Sequence, residues 1–213
     1  DEGDMAAAVE LGEAMLELAE DSFGPLHALT IDVTIELANV YYAAGDTVGA
    51  GTVLMLALEK TTEALGSEHP MTLDVLLDLA NVYESEGRFE DALVMVMDAA
   101  ENAEAAFGPA VPRTVDLRLE QARYLEQLGE YEEGARLLET TCGLVREQLG
   151  VHHARTADCL QQYGVLLSRG GDLPGARGAL GEVVAIREGV LGADAPETLS
   201  TRIDVAALLR EAG

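Results

Sequence analysis

Carboxylates dominate the chemistry available to this chain. Asp32, Asp74, Asp116 and Asp158 recur at intervals of 42 residues, and Glu36, Asp78 and Glu120 stand four residues after the first three. A four-residue step keeps side chains on one face of a helix, so acidic rows of this kind repel one another and attract cations. Asn39 and Asn81 keep the same interval. A side-chain amide both donates and accepts, and can grip the backbone of an extended peptide. The carboxylates recur by period rather than converge, and no Gly-rich phosphate loop, nucleophile elbow or His-Glu metal helix accompanies them. That pattern argues for binding and against catalysis. The chain is read as no enzyme, with no cofactor and no metal.

The remaining reactive residues fit the same reading. His69 precedes Pro70, and His152-His153 follows Gly150 without a carboxylate or Cys beside it, so these are expected to be loop residues. Cys142 and Cys159 are too few for a disulfide framework and match no metal-ligand spacing. They are expected to be plain core residues of a protein in a reducing, cytoplasmic compartment. With 39 acidic against 13 basic residues the net charge is -26, a field that repels nucleic acid and anionic membranes, so neither is expected as a partner. The charge is uneven. Residues 1–112 carry 23 acids and only Lys60 and Arg88 as bases, whereas residues 113–213 carry 16 acids and 11 arginines. No apolar run approaches the ~20 residues of a membrane span. The first residue is Asp1 rather than Met, which leaves room for an upstream segment.

The elements that position these residues are written in the glycines. They stand at 3, 24, 45, 66, 87, 108, 129, 150, 171, 192 and 213, a spacing of 21 without a slip. Apolar residues at helical spacing fill each interval, and a glycine just past a helix is the usual left-handed cap, so ten helices are expected. Two kinds of interval alternate, which makes the repeat 42 residues, and Thr30, Thr72, Thr114, Thr156 and Thr198 keep that period. Each Thr opens the first helix of a pair as N-cap or first-turn residue, with Pro70, Pro112 and Pro196 two places before it at the helix start. With no Trp, the core must be built of Ala, Leu and Val.

Leu37-Ala38-Asn39-Val40-Tyr41 and Leu79-Ala80-Asn81-Val82-Tyr83 are followed by Gly45 or Gly87 and then Ala50 or Ala92. This resembles the tetratricopeptide repeat. The unit is longer than the family's usual ~34 residues, and Leu65-Gly66-Ser67-Glu68-His69-Pro70-Met71-Thr72-Leu73 resembles the junction of kinesin light chain repeats. The resemblance implies an all-α fold, a right-handed α–α superhelix of about ten antiparallel helices. It implies close helix contacts at Ala38, Ala80, Ala122, Gly164 and Ala206, paired with Ala50, Ala92, Gly134 and Ala176. By phase, 1–24 is the second helix of an incomplete repeat. Full repeats cover 25–66, 67–108, 109–150 and 151–192, and 193–213 is the first helix of another. Neither end is a polar cap, so a longer parent chain, or end-to-end self-association, is expected.

In the resembled family the first helix of each pair lines a concave groove. That places Asp32, Ile35, Glu36, Asn39 and Tyr42 of the first unit in it, then Asp74, Leu77, Asp78, Asn81 and Glu84 of the second, and Asp116, Leu119, Glu120, Arg123 and Glu126 of the third. Asp158, Gln161, Val165 and Ser168 follow in the fourth. Ile35, Leu77 and Leu119 stand where family members that clamp a C-terminal carboxylate carry lysines, so such a clamp is not expected. An apolar floor between acidic rows suits a basic or amphipathic partner segment. The expected function is a protein-interaction scaffold or adaptor. Alternatives are a regulatory or sensor module of a larger signalling protein, such as an ATPase or transcription regulator, and a substrate-recognition module of an enzyme elsewhere in the gene product.

Overall fold

Helices fill the intervals between the glycines. The computed structural model describes residues 2–211, and these form α1 (Glu2–Phe23), α2 (Ala28–Ala43), α3 (Thr47–Leu65), α4 (Pro70–Ser85), α5 (Phe89–Phe107), α6 (Pro112–Leu128), α7 (Tyr131–Leu149), α8 (Ala154–Arg169), α9 (Leu173–Leu191) and α10 (Pro196–Glu211). No strand occurs among the described residues. Nine of the glycines, from Gly24 to Gly192, have positive φ. Two kinds alternate. Gly129 after α6 is left-handed, at φ 81 and ψ 7, as a helix cap requires. Gly66 after α3 lies at φ 93 and ψ 162, a region open essentially to glycine alone. Gly3 lies inside α1 instead of ending a helix, and Gly213 falls outside the described residues.

The helix starts are built from His and Thr together. His27, His69 and His153 cap α2, α4 and α8, each Nδ1 accepting from the backbone N–H two residues on, at 3.2 Å. Thr30, Thr72, Thr114 and Thr156 each donate a hydroxyl hydrogen bond, at 2.8–2.9 Å, to the carbonyl of the glycine six residues earlier. The Thr is thus a first-turn residue that ties the new helix to the preceding junction. His69 and His153 are caps, a more specific role than the loop residues expected of them. Pro70, Pro112 and Pro196 each begin their helix, where a missing N–H costs nothing. Asp46 and Asp172 cap α3 and α9 by accepting from Gly49 and Gly175.

The chain forms two compact units, Asp1–Ala106 and Phe107–Gly213. In the first, α1, α2, α3 and α4 pack in sequence around Ala38, Ala50, Leu54, Ala57, Val75 and Leu79, with Met95 of α5 against them. Lys60 is 4% exposed in this unit. Its Nζ donates to Glu20 of α1 at 2.6 Å and to Thr34 of α2 at 3.2 Å. Tyr41 donates from its hydroxyl to the Glu13 carboxylate, a second tie between α2 and α1.

In the second unit α6, α7, α8, α9 and α10 pack in sequence. Ala122, Leu138, Leu160, Leu166 and Val183 belong to its core. Small residues set the close approaches. A Cβ on Gly164 would stand 2.6 Å from Leu180 Cγ, and Leu180 is buried, so α8 reaches α9 only because that side chain is absent. Gly178 has open space around it, and there a better helix former is simply missing.

One expectation is overturned in this core. Cys142 and Cys159 are buried, as core residues should be, but they are joined in a disulfide, with Cα atoms 5.5 Å apart. Cys142 lies in the second half of α7 and Cys159 in the first half of α8, and the tight junction at Gly150 folds these stretches back against each other. The inference from unpaired thiols to a reducing compartment therefore loses its basis.

Candidate peptide-binding groove

The first helices of the pairs carry the expected groove residues. In the first unit Asp32, Glu36, Asn39 and Tyr42 are exposed on α2, and Asp74 and Asn81 are exposed on α4. Leu77, Asp78 and Glu84 are half-buried. Ile35 is half-buried and packs against the core beneath, so this floor position is shared between groove and interior. Asp78 stands out electrostatically. Burial, and then the neighbouring Asp74 carboxylate, hold its carboxyl above the ordinary aspartate range. A cation beside the two would relieve both penalties.

In the second unit arginines answer several of the acids. Arg155 at the start of α8 reaches Asp116 of α6 at 2.7 Å. Arg187 of α9 holds Asp158 of α8 at 3.0 Å and also donates to Thr201 of α10. Arg123 pairs with Glu120 on its own helix at 2.8 Å and lies over the Tyr124 ring, while Arg169 pairs with Glu126 at 3.1 Å. The acidic row expected to run through every unit is thus neutralised internally at Asp116 and Asp158. Sequence reasoning missed Arg155 and Arg187. A signal existed for the first, since Arg155 directly precedes the periodic Thr156 as Arg113 precedes Thr114.

Two cavities open along this second groove, each of about 470 Å³. One lies between α6 and α8, with Leu119, Arg123, Gln161 and Val165 among its walls. The other lies among α8, α9 and α10, with Asp158, Gln161, Arg187 and Ser200 in its lining. Asp158 and Gln161 belong to both, so the two form one continuous trough. Among the described residues no group of three or more His, Cys, Asp or Glu side chains is placed to hold a metal ion, and no helix is long and apolar enough to cross a membrane.

Two family profiles, both described as tetratricopeptide repeat, match residues 35–105 and 156–197; together they span just over half of the chain. The chain is a tetratricopeptide-repeat protein. Its fold is similar to that of a kinesin light chain-like protein of Podospora anserina built from nearly identical TPR-like repeats, at 23% identity and a TM-score of 0.75, covering 88% of this chain and 89% of that one. It is also similar to BtubC (BKLC) from P. vanneervenii, at 18% identity and a TM-score of 0.69, over 100% of this chain and 83% of that one. YrrB, described as a TPR protein with an unusual peptide-binding site, is similar at 17% identity and a TM-score of 0.53, covering 94% and 98%. No curated protein sequence matches the chain. The fold is thus similar to that of kinesin-light-chain-like repeats, and the tetratricopeptide repeats support a protein-interaction scaffold.

Proposed function

We propose that the chain is a non-catalytic scaffold whose first unit binds a basic or amphipathic segment of a partner protein along α2 and α4. The observation that carries this reading is Asp78, half-buried beside Asp74 with its carboxyl raised by burial and by that neighbour. Exposed Asp32 and Glu36 extend the negative surface, and the apolar floor of Ile35 and Leu77 gives an amphipathic segment somewhere to rest. Asn39 and Asn81, both exposed, are the groups to hold its backbone. YrrB, a similar fold described as having an unusual peptide-binding site, supports a peptide-binding reading. Self-association is a second reading, favoured by one observation. Leu11, Met15 and Leu18 of α1 are 62%, 49% and 67% exposed, while Ala57 and Ala99, which match Met15 in later repeats, are fully buried.

Isothermal titration with a basic amphipathic peptide of Lys and Leu, at low and high salt, tests the proposal. Affinity that falls as salt rises supports it, because screening weakens exposed charge pairs; affinity indifferent to salt sinks it.

A further inference from the structure

The second unit carries another concavity, on a different face of α8. Gln161 and Val165 point α8 at the groove, whereas Tyr163, Leu166 and Leu167 lie roughly 140° further round the helix axis. There, a cavity of about 330 Å³ opens between α7 and α8, with Tyr131, Glu139, Tyr163 and Asp172 among its walls. A neighbouring cavity of about 260 Å³ continues over α9 past Gly175 and Gly143, and a side chain on Gly143 would meet open space. Glu139, Tyr163 and Leu167 line both, so they form one crevice.

Its chemistry is not dictated by the fold. The first unit has the same notch two repeats earlier, of about 270 Å³. Where that one has Val48, Met55 and Arg88, the crevice has Glu132, Glu139 and Asp172. Three carboxylates have replaced two apolar residues and a cation. Asp172 is engaged as the cap of α9, but the other two are not answered: Arg136 donates to the backbone carbonyl of Glu132, and Glu139 has no ion pair among the described residues. Burial, then Glu139, then Asp172 push the Tyr163 phenol above its ordinary range, which reports a negative field at the crevice. In the second cavity Arg146 is committed to Glu182 at 2.7 Å, so it does not offset these carboxylates.

We infer that this crevice is a second protein-binding site, taking an extended partner segment whose lysine or arginine seats between Tyr131 and Tyr163 against Glu139. Tyrosine rings attract cations through their faces, and the carboxylates supply the charge. The site is independent of the groove on α2 and α4, and each can fail without the other.

The test is an NMR titration of the ¹⁵N-labelled chain with acetyl-Gly-Ser-Lys-Ser-Gly-amide, beside the same peptide with norleucine for lysine. Saturable shifts at Glu139, Tyr163 and Leu167 are expected, at least fivefold weaker with norleucine and in Glu139→Gln. Asp78→Asn should leave them unchanged. Glu139 is exposed, so its variant should fold; Glu132→Gln is a second probe, expected to weaken binding less. Shifts confined to the α6–α8 groove, equal shifts with norleucine, or indifference to Glu139→Gln would each overturn the inference.

Discussion

Arg155 reaches back across one repeat to Asp116, its two terminal nitrogens 2.7 and 3.3 Å from the two carboxylate oxygens. The contact is bidentate, the geometry in which arginine is most selective for carboxylate. It satisfies one member of the second unit's acidic row from within. The pair is partly exposed, so its worth to stability is small, on the order of 0–1 kcal/mol. Arg155→Gln should therefore barely move the unfolding midpoint, while strengthening the second unit's binding of a basic peptide severalfold. Thermal melts and a titration check both.

Asp78 gives a pH signature. Its folded carboxyl holds a proton to higher pH than in the unfolded chain, so the ionised form costs stability, and that cost vanishes as pH falls through the folded pKa. Asp78→Asn is expected to raise the melting midpoint at pH 7, and the advantage should disappear below the ordinary aspartate pKa of about 3.9. A midpoint difference independent of pH would assign the gain to something other than the charge.

Lys60 and Glu20 should respond unequally. Removing Glu20 leaves an ammonium that is 4% exposed without its carboxylate, whereas removing Lys60 leaves a carboxylate already 40% exposed. Leaving a buried charge without its partner costs about 3–5 kcal/mol; with the carboxylate of this pair half in water, Glu20→Ala should cost about 1–3. Lys60→Met should cost less than about 1. Chemical denaturation of the two variants decides the order.

The disulfide closes a segment with a sequence separation of 17, for which restriction of the unfolded chain gives a stabilisation of about 3 kcal/mol. Replacing Cys142 and Cys159 by Ala, or adding a reductant, is expected to lower the stability of the second unit by about that much and leave the first unchanged. Hydrogen exchange at α3 and α8 separates the two.

The helix plan was legible because a positive-φ glycine leaves no alternative residue: Gly66 and Gly129 are required whatever packs around them. The identity of the first helix in each pair was equally legible from Thr72 and Pro70. The partners of charged side chains were not, since Arg187 and Asp158 lie on different helices and no periodic residue links them. Cys142 and Cys159 went unread for the same reason. Their separation in sequence says nothing until the Gly150 junction folds α7 against α8. Gly164 was legible, since it keeps the register of Ala38, Ala80 and Ala122 and faces a buried leucine, whereas Gly178 keeps no such register and faces open space.

The central claim concerns charge on the first unit, and one comparison tests it most directly. The chain and its Asp32→Asn/Asp74→Asn/Asp78→Asn variant are titrated with the same basic amphipathic peptide at low salt. The account predicts a loss of at least about tenfold, equivalent to about 1.4 kcal/mol of binding, with the salt dependence largely gone. Equal affinities for the two proteins, with unchanged salt dependence, would contradict it.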